Sequence, residues 1–126
     1  MILLDTSVLV DALTGSRRSA PALRRAFARS ERVIVPVLVL YEWWRGPRTP
    51  EELAAQEAVF PAESAVPFGP EEASQAAALY RAVPRARGRE LDLAIAACAL
   101  TQEAVLWTLN ARDFEGIPGL TVRRPR

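Results

Sequence analysis

Met1-Ile2-Leu3-Leu4-Asp5-Thr6-Ser7 opens as a short apolar run that ends on a carboxylate and two hydroxyls. Such a run reads as a strand buried on both faces, the kind found in parallel sheets. In an open α/β sheet, the crevice outside the carboxyl ends of the strands gathers ligands and chemistry. Asp5 therefore stands at a working edge. Its weight depends on which other carboxylates arrive there.

Outward from this strand, the pattern alternates. Thr6 or Ser7 can cap a short helix through about Leu13, broken at Thr14-Gly15-Ser16. Pro21 opens an Arg-studded helix to about Ser30, and Val33-Ile34-Val35 is the second strand, stopped by Pro36. Val37 to Arg45 and Glu51 to Val59 are helical, and Ala65-Val66-Pro67-Phe68 is expected as a short edge strand, where proline is tolerated. Glu71 to Val83 is amphipathic. Leu91 to Gln102 is the most apolar helix and so is expected at the centre. Ala104 to Thr108 is a strand, Asn110 to Phe114 a turn of helix capped by Asn110, and Leu120-Thr121-Val122 a last strand. Strands alternating with helices predict a three-layer α/β/α sandwich around a central parallel sheet, built as one domain over residues 1–126. At that length, roughly two thirds of the unfolded surface can be buried.

Composition removes whole classes of chemistry. Half of the residues are hydrophobic, a quarter are charged, and the formal net charge is +1. No apolar run approaches the roughly 20 residues of a membrane span. The N-terminus has no basic region of a signal peptide, so the cytoplasm is the expected compartment. The single cysteine, Cys98, excludes an internal disulfide and cysteine-based zinc sites. No histidine is present, which removes Ser-His triads and His-ligated metals. Every basic residue is Arg, so Schiff-base lysines and the P-loop lysine are absent too. Carboxylates, hydroxyls, arginines and borrowed metal ions remain.

The charge is also segregated. Residues 17–48 carry eight Arg against Glu31 and Glu42, residues 49–80 carry six Glu and no basic residue, and further Arg follow to the C-terminus. The basic stretches suit phosphate contacts through the planar guanidinium fork, or they are solvated helix faces.

Four acidic residues are expected to converge. Asp5 and Asp113 follow strands, and Asp92 begins a helix that must run antiparallel to the strands, so all three reach the carboxyl edge. Glu42 lies about two turns into the helix after the second strand, where it could also pair with Arg45. Asp5, Asp92 and Asp113 could instead serve only as helix-start carboxylates. The other acidic residues, among them Asp11, Glu51, Glu52, Glu71 and Glu72, read as solvated. Clustered carboxylates repel, so a site that collects them calls for a cation. Hard oxygen ligands select Mg²⁺ or Mn²⁺, which lowers the pKa of a bound water and neutralises a phosphate.

These residues resemble a PIN domain, specifically the small VapC-type toxins of type II toxin–antitoxin pairs. The likeness rests on Leu4-Asp5-Thr6-Ser7, on Glu42 followed by Gly46, on the run Asp92 to Leu100, and on Thr108-Leu109-Asn110-Ala111-Arg112-Asp113-Phe114. It implies a Mg²⁺- or Mn²⁺-dependent endoribonuclease with Asp5, Glu42, Asp92 and Asp113 in the acidic cluster. Asp5, Asp92 and Asp113 would be the metal ligands, Asp5 and Asp92 foremost, with Thr6, Thr108 and Asn110 supporting. The resemblance further implies an RNA substrate, a homodimer, and a cognate antitoxin whose segment lies in a groove. Two departures stand out. Glu103-Ala104 occupies the place where relatives often end the helix with Gly, and Trp43-Trp44 follows Glu42 where aliphatics are common. Those tryptophans are expected in the core or on a partner surface, and Cys98 in the core.

Other functions are weighed against this one. A non-catalytic RNA- or protein-binding module of the same fold predicts missing acidic positions, and all four are filled. A housekeeping RNA-processing nuclease shares the chemistry but has no antitoxin. A phosphoaspartyl receiver or hydrolase needs a further acidic residue and a lysine that this chain lacks.

Overall fold

The computed structural model describes residues 1–126. Strand β1 (Ile2–Leu4) leads into helix α1 (Thr6–Leu13), followed by α2 (Ala20–Ala28), β2 (Val33–Ile34), α3 (Val37–Arg45) and α4 (Pro50–Val59). After a 3-10 turn at Ala62–Ser64 come α5 (Pro70–Ala82), α6 (Glu90–Thr101), β3 (Val105–Trp107), a 3-10 turn at Ala111–Phe114 and β4 (Val122–Arg123). The four strands form one parallel sheet in the order β2-β1-β3-β4, flanked by the six helices as an α/β sandwich. Leu3 pairs with Ile34 on one side and Leu106 on the other, which seals β1 in the middle of the sheet. All four carboxyl ends therefore open on one edge.

Burial follows the sequence pattern. Ile2, Leu3 and Leu4 are inaccessible or nearly so, as expected for a strand covered on both faces. Helix α6 is buried at Leu93 and through Ile95–Ala99, and its most extensive helix partner is α5. Its alanines let neighbours approach closely around a helix with no polar face in its middle. Cys98 is fully buried there, and burial, with Glu72 nearby, pushes its thiol up to about 12.

Several local expectations are corrected. The edge strand at Ala65–Phe68 shrinks to one parallel bridge between Pro36 and Val66, made by Val37 N–H to the Val66 carbonyl and Val66 N–H to the Val35 carbonyl. The ladder is cut short where Pro36 and Pro67 have no N–H to donate and the Ala65 N–H closes the preceding turn on Ala62. The last strand starts two residues later and ends one later than expected, at Val122–Arg123. Glu72 is buried rather than solvated: Oε1 accepts the Gly69 N–H at 3.0 Å, so it caps the start of α5, and this bond lowers its pKa. Asp11 is half-buried, accepting from Ser19 Oγ at 2.6 Å and pairing with Arg18 at 3.4 Å.

The two tryptophans divide. Trp43 is fully buried with the Arg48 guanidinium 4.2 Å from its ring centroid, whereas Trp44 is half-exposed and its indole N–H donates to Gln56 Oε1 at 3.2 Å. Helix α6 ends without a glycine. Glu103 takes φ 54°, and the Glu103 and Ala104 N–H groups close on the carbonyls of Leu100 and Ala99. That is a complete Schellman ending made by a non-glycine residue.

Candidate active site

Asp5 is placed by its backbone first. Its N–H donates to the Trp107 carbonyl at 2.9 Å, and its own carbonyl accepts from Val8 and Leu9 at the start of α1. It is therefore Asp5, not Thr6 or Ser7, that occupies the N-cap position, with no side-chain capping bond. The two hydroxyls are released for other work. Ser7 Oγ donates to Asp5 Oδ2 at 2.9 Å, and Thr108 Oγ1, fully buried, donates to the same oxygen at 2.7 Å. Asp5 Oδ1 has no protein donor.

Thr6 reaches the next acidic residue. Its Oγ1 hydrogen-bonds Glu42 Oε1 across from α1 to α3, while Arg45 Nη2 contacts Glu42 Oε2 at 3.3 Å. The ion pair expected between Glu42 and Arg45 forms, and Glu42 is bound to the edge as well. The Leu109 N–H donates to Ser7 Oγ at 3.0 Å and the Asn110 N–H to Thr108 Oγ1 at 3.0 Å, so the segment after β3 is knitted to the start of α1. Asn110 stands at the N-cap of the following turn, but its exposed side chain makes no capping bond; its backbone carries the contact.

Asp92 lies half-buried in the first turn of α6, and Asp113 is exposed in the turn after β3. Arg89 connects the two elements, with Nη2 donating to the Asp113 carbonyl at 2.9 Å and contacting that of Glu115 at 3.4 Å. Burial first, and then the charges of Asp113, Asp5 and Glu42, raise the Asp92 pKa from 3.8 to about 6, with Arg89 opposing. Those causes put Asp113, Asp5 and Glu42 each within electrostatic reach of Asp92. Ser7 and Arg89 are additions that sequence reasoning left out. Ser7 was visible as a hydroxyl beside Asp5, whereas Arg89 gave no signal beyond its place in a polar loop.

No three acidic side chains converge on one point closely enough to form a ready coordination cage. The donor set suits a hydrated hard cation instead. Mg²⁺ keeps several waters and is commonly held by one or two carboxylates. The charge that raises Asp92 is the charge that such an ion would offset.

Comparison with known proteins bears on the family and the fold. The PIN domain family model matches residues 2–120. The chain is 32% identical over 127 aligned residues to Ribonuclease VapC19 of Mycobacterium tuberculosis, in both strains CDC 1551 and H37Rv, covering 95% of this chain and 97% of the relative. Among solved structures, DNA-bound VapBC from Salmonella typhimurium superposes with a TM-score of 0.77 at 20% identity, covering 99% of this chain and 98% of that one. A toxin–antitoxin complex from Klebsiella pneumoniae gives a TM-score of 0.75 at 24% identity, covering 100% and 98%. At such identities the structural likeness speaks for the fold, while the family match and the curated relative speak for descent. The chain belongs to the PIN domain family and, within it, to the VapC type.

Proposed function

We propose that this protein is a Mg²⁺- or Mn²⁺-dependent endoribonuclease, acting as the toxin of a type II toxin–antitoxin pair. The observation that carries the proposal is the arrangement of Asp5, Glu42, Asp92 and Asp113 at one sheet edge, with Asp5 and Glu42 oriented by the hydroxyls of Thr6, Ser7 and Thr108. Asp5, Asp92 and Asp113 would hold the ion, in part through its own waters because no three acidic side chains meet at one point, and the ion would supply charge neutralisation at the phosphate and a more acidic bound water. Thr108 and Ser7 both engage Asp5 Oδ2, which leaves Oδ1 without a protein donor and available to an ion. Asp92, its pKa raised to about 6 by burial and by the neighbouring carboxylates, carries a charge that a bound ion would relieve. Glu42 completes the negative edge, fixed by Thr6 and Arg45. Water would attack an RNA phosphodiester in line and leave 5′-phosphate and 3′-hydroxyl ends, as the family resemblance implies. Single-stranded or loop RNA fits best, because an unstacked backbone can enter an open acidic edge.

Partner surfaces support the toxin assignment. A groove of about 210 Å³ between α1, α2 and α4 is lined by Leu13, Leu23, Phe27 and Val59, with Arg17 and Arg24 also on its wall. It suits an antitoxin segment. The exposed Tyr41 and Trp44 of α3 offer aromatic surface for a homodimer contact. No helix is long and apolar enough to cross a membrane.

The test is cleavage of single-stranded RNA by the purified protein in Mg²⁺ or Mn²⁺, alongside Asp5→Asn with its fold checked by circular dichroism. Cleavage is expected to vanish in the variant. Undiminished metal-dependent cleavage by Asp5→Asn would reject the assignment.

A further inference from the structure

A second cleft lies beside the acidic edge. It encloses about 280 Å³ and is lined by Asp11, Arg18, Ser19, Arg25, Leu109 and Arg124, together with Ala22 and Pro125. Its walls come from four parts of the chain: α1 and the loop after it, α2, the segment after β3, and the segment leaving β4. The one carboxylate is already engaged, since Asp11 accepts from Ser19 Oγ at 2.6 Å and pairs with Arg18 at 3.4 Å. Arg25 and Arg124 have no acidic partner; Arg124 makes only a 3.4 Å contact to the Leu109 carbonyl. Three guanidiniums thus face one carboxylate in a concave, solvent-open space.

The cleft is joined to the acidic site. Leu109 lines it, and the Leu109 N–H holds Ser7, which in turn holds Asp5. Asp11 falls one helical turn after Ser7 on the same face of α1. Arg124 follows β4, and β4 is separated from β1 by β3 alone. Two strand spacings place it on the order of 10 Å from Asp5 along the same carboxyl edge.

We propose that Arg18, Arg25 and Arg124 form a phosphate-binding subsite that takes a backbone phosphate of the RNA next to the one being cut. The chemistry is specific to that ligand. Guanidinium forks match phosphate oxygens bidentately, and two of the three have no acidic partner. The subsite also answers an electrostatic problem: a polyanion must approach four carboxylates, and an anchored neighbouring phosphate offsets that repulsion. The proposal rests on the ribonuclease function and names where its substrate is gripped.

The experiment measures binding apart from cleavage. A fluorescent single-stranded RNA oligonucleotide is titrated in EDTA, across salt concentrations, with wild type, Arg25→Gln/Arg124→Gln, and Arg25→Lys/Arg124→Lys. Arg29→Gln/Arg32→Gln serves as an equal charge change at the opposite edge, where Arg32 precedes β2. The expected result is an affinity loss of about tenfold or more in the Gln pair, with the salt slope flattened by about 0.7 per lost phosphate contact. The Lys pair should keep the slope without recovering full affinity. Unchanged affinity and slope in the Gln pair would overturn the subsite, as would an equal loss in the Arg29/Arg32 control. A loss confined to an acidic protein partner, with RNA binding intact, would overturn it too. Arginine-dependent binding by a protein that cuts no RNA in Mg²⁺ or Mn²⁺ upholds the subsite and rejects the nuclease function. Cleavage with binding indifferent to these arginines does the reverse.

Discussion

Thr108 and Asp5, 103 positions apart in the chain, share a buried hydrogen bond of 2.7 Å in which the hydroxyl donates to carboxylate Oδ2. This bond ties the end of β3 to the end of β1 at the level of the site. Because Ser7 donates to the same oxygen, the carboxylate has little rotational freedom left. Thr108→Val keeps the shape and removes the donor. Stability should fall by about 1–3 kcal/mol, read by denaturant unfolding. RNA cleavage should fall by about 10–100-fold, the usual cost of losing a partner that orients a metal ligand. Cleavage at the wild-type rate would mean that Ser7 alone suffices to orient Asp5.

Asp92 makes a pH signature. The folded chain holds the Asp92 proton more tightly than an unfolded chain does, at about 6 against 3.8. The stabilisation from that proton is complete below about pH 4 and is lost as pH rises through about 6. Without metal, Asp92→Asn should therefore melt above wild type at pH 8, and the gap should close towards pH 4. Added Mg²⁺ or Mn²⁺ should raise the wild-type midpoint at pH 8 and raise that of the variant less. Parallel melting curves across this range would show that neither burial nor the neighbouring carboxylates raise the Asp92 pKa.

Arg89 should act through the residues that it positions. Arg89→Met keeps the apolar stem and loses the bonds to the Asp113 and Glu115 carbonyls. It also removes the one charge that opposes the rise of the Asp92 pKa. Cleavage at neutral pH should drop by about tenfold, and the rising limb of the pH–rate profile should move to higher pH. Arg89→Lys should restore the limb, since it returns the charge. A rate loss with an unmoved limb would confine Arg89 to holding the turn in place.

Glu103 carries a conformational cost at the end of α6. A side chain at φ 54° is strained in a way that glycine is not. Glu103→Gly should stabilise the protein by about 0.5–1 kcal/mol in denaturant melts, after allowing for the entropy that glycine gains when unfolded. Glu103→Ala, which keeps the Cβ, should give no such gain. Equal behaviour of the two variants would remove the left-handed backbone as the cause.

Much of this molecule is written locally. The apolar run Ile2–Leu4, the alternation of strands and helices, and the Asp92 to Leu100 helix each state their own burial, because period and hydrophobicity belong to neighbouring residues. The positions of Asp5, Asp92 and Asp113 at strand or helix ends follow from chain direction in a parallel sheet. Other features needed the folded chain. That Pro36 and Pro67 leave Val66 a single bridge depends on where each donor is spent. That Thr6 holds Glu42, Ser7 and Thr108 hold Asp5, and Arg89 spans from α6 to the turn carrying Asp113 depends on residues up to a hundred positions apart meeting at one edge. The burial of Trp43 and the exposure of Trp44, indistinguishable as adjacent letters, were decided by which face of α3 meets the core. Sequence alone determined most of the helices and strands and which acidic residues stand at their ends, since those are properties of short segments. Tertiary packing decided which hydroxyl orients which carboxylate, and left Arg25 and Arg124 unpaired beside them, because only long-range contacts assign partners.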